Sequence, residues 1–229
     1  MNRLSKFLFA SVMTFLVSST AVCSAREAES ASLFCLSIEK RFNDYFQIQL
    51  HQQLWLDNNF TNLERYMPFV DFKVTLLKDY VYFDALYFYR YQHKTDGSSV
   101  NTHRYQLGLS GGYKWQHFKL SGYSRFESDY VKKNADLPYN RCYWRNRLVG
   151  TAYLKEGCKW SPYSAIEVFN TMNWPGDNNG VERLWFEIGS MYSINKTFSM
   201  DFKIREILPT LDKTQKISTY IGVGCNIKL

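Results

Sequence analysis

Apolar and polar residues alternate one by one through most of this chain, and that period restricts what it can fold into. In Phe46-Gln47-Ile48-Gln49-Leu50-His51 one face is apolar and the other polar. Val70-Asp71-Phe72-Lys73-Val74-Thr75-Leu76 repeats the pattern, and Phe198-Ser199-Met200-Asp201-Phe202-Lys203-Ile204-Arg205 is the cleanest instance. Leu184, Phe186 and Ile188 alternate with Arg183, Trp185 and Glu187, and Phe118 and Leu120 with His117, Lys119 and Ser121. A period of two places successive side chains on opposite faces of a strand, and no stretch sustains the 3.6-residue period of a helix. The chain therefore reads as strands throughout.

About eleven segments follow this rule, at roughly 33–41, 46–56, 66–77, 80–91, 102–113, 116–127, 141–153, 162–170, 182–193, 197–207 and 216–229. Most exceed the ~5–6 residues of an ordinary soluble strand and suit the ~9–11 that cross a bilayer at a tilt. Connections alternate in length. Asn43-Asp44, Lys78-Asp79, the neighbours of Lys114, and Asn195-Lys196 mark tight turns. Between them lie Asp57–Arg65, Gln92–Asn101, Ser128–Asn140 and Thr171–Val181, rich in Asn, Asp, Gly, Ser and Lys. Short turns at one rim and long polar loops at the other are the layout of an outer-membrane barrel. The expected fold is all-β: a transmembrane antiparallel up-and-down barrel of about 10–12 strands. Single-chain bacterial barrels use even numbers, so ten or twelve is expected over eleven.

The first 25 residues stand apart. Arg3 and Lys6 precede a mostly apolar Phe7–Val17, and Cys23-Ser24-Ala25 supplies small residues for cleavage, the three-part pattern of a secretory signal. That apolar run is shorter than the ~20 residues of a spanning helix. Thr20-Ala21-Val22 makes a poor lipobox, which argues against lipidation of Cys23. The expected division is a signal peptide over 1–25 and a single barrel domain over 26–229. Past residue 26, charges interrupt every window that could become a transmembrane helix. The mature chain is thus an exported soluble protein or a closed barrel, since only helices and closed barrels satisfy every backbone group in lipid.

Composition and the last strand bear on that choice. Tyr, Phe and Trp number 17, 17 and 6, and charged residues make up only 21%, which excludes a disordered chain. Tyr80, Tyr82, Tyr87, Tyr89 and Tyr91 crowd one strand, while Tyr143, Trp144, Trp160, Tyr163 and Trp185 fall near segment ends, where interfacial girdles are expected. The alternative, a soluble β-sandwich binding module with these rings in its core, explains less well so many long strands with a wholly apolar face. In the last strand Ile217, Thr219, Ile221, Val223, Cys225, Ile227 and Leu229 share a face up to the final residue, with Gly224 five before the end. This is similar to the signal read by the outer-membrane assembly machinery, although Leu229 stands where an aromatic ring is usual.

The order of these pieces resembles a family of Gram-negative outer-membrane barrels catalogued as a domain of unknown function, DUF2490. The residues that carry the resemblance are Ser37-Ile38-Glu39-Lys40-Arg41-Phe42-Asn43-Asp44, an alternating strand and polar loop, and Phe69–Leu76. Further on they are Arg145-Asn146-Arg147, Pro162 with Glu167 and Phe169, and Glu182-Arg183 leading into Gly189-Ser190-Met191-Tyr192. The resemblance covers nearly the whole mature chain and implies a barrel in the outer membrane. It implies no catalytic residue.

If the apolar face meets lipid, the polar face lines the lumen. Gln47, Gln49, His51, Asp71, Lys73, Asp84, Arg104, Lys119 and Lys203 fall on it, and the lumen-lining candidates are Arg90, Arg125, Glu127, Arg145, Arg147, Glu167, Arg183, Glu187, Asp201 and Arg205. Two arrangements are open. Arginines and carboxylates on neighbouring strands can pair and fill a narrow interior. Alternatively, excess arginine lines a water-filled path and favours anions, because the planar guanidinium binds carboxylate or phosphate with two hydrogen bonds. Arg145 and Arg147 share a face roughly 7 Å apart along one strand. Uncompensated they attract anions; compensated by Glu127 or Glu167 they are structural.

Signals for chemistry are weak. His51, His93, His103 and His117 show no metal-ligand spacing, so no metal or other cofactor is expected. His103 with Ser99 and Asn101 can be drawn as the triad of an outer-membrane lipid-modifying enzyme, but no nucleophile elbow accompanies them. Gly108, Gly111 and Gly112 resemble no phosphate loop and are expected to let strands bend at a turn. Cys142 and Cys158 lie at opposite ends of one strand, and alternation turns Cys35 and Cys225 to opposite faces, so no obligatory disulfide is expected. The expected partners are outer-membrane lipid, the assembly machinery through the C-terminal strand, and a small anionic solute, with no nucleic acid.

Overall fold

The structure is a computed structural model and describes residues 28–57, 62–78, 80–93, 97–131, 141–154, 157–173, 179–211 and 217–229. The signal segment at 1–25 and the tips of the long loops lie outside these residues. Eleven strands form one closed barrel: β1 (Ala28–Arg41), β2 (Phe46–Asp57), β3 (Asn62–Leu77), β4 (Val81–His93), β5 (Ser99–Lys114), β6 (Phe118–Val131), β7 (Arg141–Ala152), β8 (Trp160–Thr171), β9 (Gly180–Ser193), β10 (Phe198–Pro209) and β11 (Ile217–Lys228). Closure rules out the sandwich. Every strand lies within a few residues of its expected position, and most differences are extensions toward the long-loop rim. There, β3 starts at Asn62 and β6 runs to Val131.

The eleven segments read from the alternation form, and the even number expected of single-chain bacterial barrels does not. Sequential neighbours pair antiparallel, and the barrel closes through β1 and β11 running parallel, from Ala28 beside Ile217 to Glu39 beside Lys228. The reason is geometric. Both strands start at the long-loop rim and finish at the short-turn rim, so an odd total makes the seam parallel. Leu229 N donates to Glu39 O at 2.8 Å and completes the seam at the short-turn rim. That rim is held by side chains that accept from turn amides: Asn43 Oδ1 takes the N–H of Tyr45 and of Phe46, and Asn195 Oδ1 that of Thr197 and of Phe198.

The two faces of the wall differ in the sense opposite to a water-soluble fold. Leu50, Ile221, Ile204 and Leu148 expose half of their surface on the outside, whereas Asp84 and Glu127 are completely buried inside. The interfacial-girdle expectation needs correction at three rings. Trp144 and Trp160 are exposed, but Tyr143, Tyr163 and Trp185 point inward, where Tyr163 bonds Asp201 and Trp185 packs with Trp55. Their strand parity with Arg145, Glu167 and Glu187 requires this, whatever their nearness to a rim.

Glycines inside strands make room for side chains that cross them. Asp84, Gly108 and Arg125 stand side by side on β4, β5 and β6. A Cβ on Gly108 would come within 2.7 Å of Arg125 Cγ, and the Arg125 side chain passes over this gap to reach Asp84 at 3.0 Å. Gly189 plays the same part for Tyr163 on its way from β8 to Asp201 on β10. Gly108 is therefore mid-strand, not at the turn expected from sequence. Gly108→Val is expected to lower stability by about 1–3 kcal/mol through overpacking and to break the Arg125–Asp84 pair, read as a lower urea midpoint for the refolded barrel.

Candidate functional site

Inside the barrel, a continuous ladder of alternating charge covers the wall from β5 to β10. Arg104 grips Asp129 with both Nε and Nη2, at 2.5 and 2.8 Å, and lies 3.3 Å from Glu127. Glu127 also accepts from Gln106 and pairs with Arg145. Arg145 donates from Nε to Glu167 at 2.8 Å; Glu167 takes Tyr123 at 2.6 Å and Arg147 at 3.2 Å. Arg147 reaches over β8 to Glu187 at 2.8 Å, and Glu187 accepts Arg205 Nε at 2.8 Å. Ala165, directly beside Glu187, supplies the small side chain that leaves this crossing open.

The ladder balances. Arg104, Arg145, Arg147 and Arg205 are matched by Asp129, Glu127, Glu167 and Glu187. Next to it Arg125 serves Asp84 and lies 3.9 Å from Asp71, which also has Lys73 at 3.6 Å; Lys203 binds Asp201 at 2.7 Å. Charges in such an interior pay a desolvation penalty that only close pairing and extra hydrogen bonds repay, so removing one partner is far more damaging than replacing the pair. The alternatives left open for Arg145 and Arg147 are thereby decided in favour of compensation, since each touches two carboxylates.

The opposite wall has a different character. Gln47, Gln49, His51 and Gln53 on β2 are only half-buried on the lumen side. Glu39 accepts from Gln49 at 2.6 Å, and His51 stacks on Phe69 with ring centroids 4.2 Å apart. This wall is polar but nearly neutral.

Near the long-loop rim the two walls meet. Trp55 on β2 faces Trp185 on β9, with β1, β11 and β10 between their strands, and the ring centroids are 6.2 Å apart; Tyr220 closes edge-on against Trp55 at 4.7 Å. Leu33 and Ala31 complete the cluster. Arginines lie on these rings: Arg65 over Trp55 at 4.7 Å, Arg205 over Trp185 at 4.7 Å, and Arg183 over Phe169 at 4.7 Å. Such stacking is favourable where the guanidinium is partly desolvated. A bulge opposite Trp55 and Leu56 inserts Glu64 beside Arg65, and Glu64 then accepts from Tyr220 OH at 2.9 Å across two intervening strands.

Of the residues singled out from sequence, Glu127, Arg145, Arg147, Glu167, Glu187 and Arg205 form the ladder, and Arg125 and Asp201 sit in pairs beside it. Arg90 and Arg183 lie above it, nearer the long-loop rim. Sequence reasoning missed Asp129, which it assigned to a polar loop although it shares parity with Arg125 and Glu127. It also missed the crossing tyrosines and Trp55. The drawn triad does not assemble: His103 faces outward with Nδ1 2.6 Å from Tyr87 OH, Asn101 accepts from Tyr89, and Ser99 lies four residues from His103 along β5. Among the described residues no cluster of three His, Cys, Asp or Glu side chains is placed to hold a metal ion, and Cys35, Cys158 and Cys225 are free thiols.

The profile of the family described as "Protein of unknown function (DUF2490)" matches residues 32–206, more than half of the chain. The chain belongs to this family. The matched span runs from β1 to β10 and contains every residue of the ladder. No curated protein matches the sequence. Among solved structures, the chain is similar to the NanC porin in its rhombohedral crystal form, with a TM-score of 0.55 and 9% identity, over 87% of this chain and 98% of that one. At that identity the likeness concerns the fold, and it joins this DUF2490 barrel to a barrel architecture that a porin uses.

Proposed function

We propose that the protein is a non-enzymatic outer-membrane β-barrel that admits small anionic solutes through a narrow lumen. The observation that carries this reading is the inside-out division of the wall: apolar outside, ionic inside, in a closed sheet with no free edge. Only a bilayer removes such an outer face from water, and only closure satisfies the backbone within it. The N-terminal pattern of a secretory signal, the apolar C-terminal strand suited to the assembly machinery, and the likeness to a porin fold all support export to the outer membrane of a Gram-negative bacterium. Arginine at the Trp55–Trp185 constriction supports the preference for anions.

In planar bilayers the purified barrel is expected to pass small currents whose reversal potential lies on the anion side under a salt gradient. Trp55→Ala, which removes half of the constriction, is expected to raise the conductance severalfold. Absence of current in both proteins contradicts the channel reading and leaves the passive barrel favoured by the fully compensated Arg145 and Arg147.

A further inference from the structure

We infer that the short-turn mouth of the lumen holds a binding site for the phosphate group of a small solute, built on Lys114 and Lys119. The inference deepens the channel reading and rests on it, since it names the group that the admitted anion carries. Strand register carries it. Lys114, the last residue of β5, stands directly opposite Lys119 of β6, and Thr151 of β7 stands beside Lys119. All three share the inward parity of Arg104, Glu127 and Arg145 on the same strands. Like charges directly opposite on one face of a sheet repel, so this pair is unfavourable until something negative joins it.

The two lysines border an open space. Next to them toward the interior, Gly112 faces Ser121, so that rung of the wall carries almost no side chain. Gly112, Ser121 and Lys119 are half-exposed and Lys114 is exposed, whereas Arg104, Gln106 and Glu127 farther along the same two strands are buried. Neither lysine has a carboxylate. Among the described residues no ion pair or hydrogen bond of the Lys119 side chain is found, and Lys114 Nζ rests on the Tyr153 ring at 4.4 Å, which leaves its charge uncompensated. The inward carboxylates toward this end are engaged elsewhere: Asp71 with Lys73, Asp201 with Lys203, and Glu39 with Gln49. The charges that bear most on Lys119 are those of Lys228, Lys114 and Lys73, all positive. Lys228 comes from the opposite wall, on the face of β11 that also carries Gly222 and Gly224. Ammonium groups are compact, rotatable point charges without the planar fork of arginine, which suits a multivalent phosphate better than a single carboxylate.

The test is calorimetry of the refolded barrel in detergent at low salt, titrated with inorganic phosphate and with acetate. Saturable phosphate binding is expected, about tenfold weaker in Lys119→Gln and in Lys114→Gln, the equivalent of one charge-assisted contact each. Lys119→Arg keeps the charge and is expected to keep most of the binding. Lys78→Gln, at the same rim but exposed and paired with Asp44, is expected to leave binding unchanged. Acetate is expected to bind more weakly than phosphate in every protein. Absent phosphate binding, or binding equal in wild type and both glutamine variants, overturns the site. Acetate bound as tightly as phosphate overturns its assignment to phosphate. Chloride current in planar bilayers separates this inference from the reading it rests on. Current without phosphate binding leaves the channel and removes the site; phosphate binding weakened in the variants, without current, leaves the site and removes the channel.

Discussion

Arg145→Ala is expected to destabilise the barrel by about 3–5 kcal/mol, because it strips the shared cation from two buried carboxylates. Glu127 and Glu167 are, respectively, completely and almost completely buried, and each pairs directly with Arg145. Glu127 retains Arg104 and Glu167 retains Arg147, yet the two carboxylates then approach one another across the gap without a positive charge between them. Urea unfolding from detergent or liposomes reads the loss directly. Adding Glu127→Gln to Arg145→Ala removes one stranded charge and is expected to recover part of the stability. A purely open pore lined by uncompensated arginine predicts the reverse: a stable Arg145→Ala barrel with reduced anion preference.

Phe202→Arg is expected to cost about 2–4 kcal/mol and to block insertion, since a cation on the outer face near mid-depth must be taken out of water. Phe202 is exposed outward from the middle of β10, whereas its neighbour Lys203 points inward to Asp201. Lys203→Gln is therefore expected to insert normally, with no more than a modest loss from its half-buried pair. Folding into liposomes, followed by the heat-dependent shift in gel migration, compares the two. Equal insertion of both variants contradicts the facing.

What could be read from sequence follows from what a period of two encodes. Alternation locates strands and assigns faces: β7 was expected over 141–153 and spans Arg141–Ala152, and the charged face of β10 is the inward one. It does not say which residues lie side by side. The Arg125–Gly108–Asp84 crossing depends on the register of three strands, so Gly108 looked like a turn residue. Nor does alternation say where a polar strand ends. Asp129 continues the parity of Arg125 and Glu127, but its surroundings in Glu127-Ser128-Asp129 resemble a loop. The parallel seam depends on which rim each terminal strand starts from, a property of the whole chain. The arginines of the candidate site were legible as inward-facing. The division into a balanced ladder and the separate contacts of Arg90 with Asp129 and of Arg183 with Glu182 needed the pairing.

The central claim, a barrel with its apolar face in lipid and its ionic face inside, is tested most directly by brominated-lipid quenching of tryptophan fluorescence. Variants that keep one tryptophan each, at Trp144, Trp160, Trp55 or Trp185, are refolded into liposomes with bromine on the acyl chains. Trp144 and Trp160 project outward, while Trp55 and Trp185 pack against one another inside. Strong quenching of Trp144 and Trp160 with little change at Trp55 and Trp185 is the predicted result. Equal quenching at all four positions, or none at any, contradicts it.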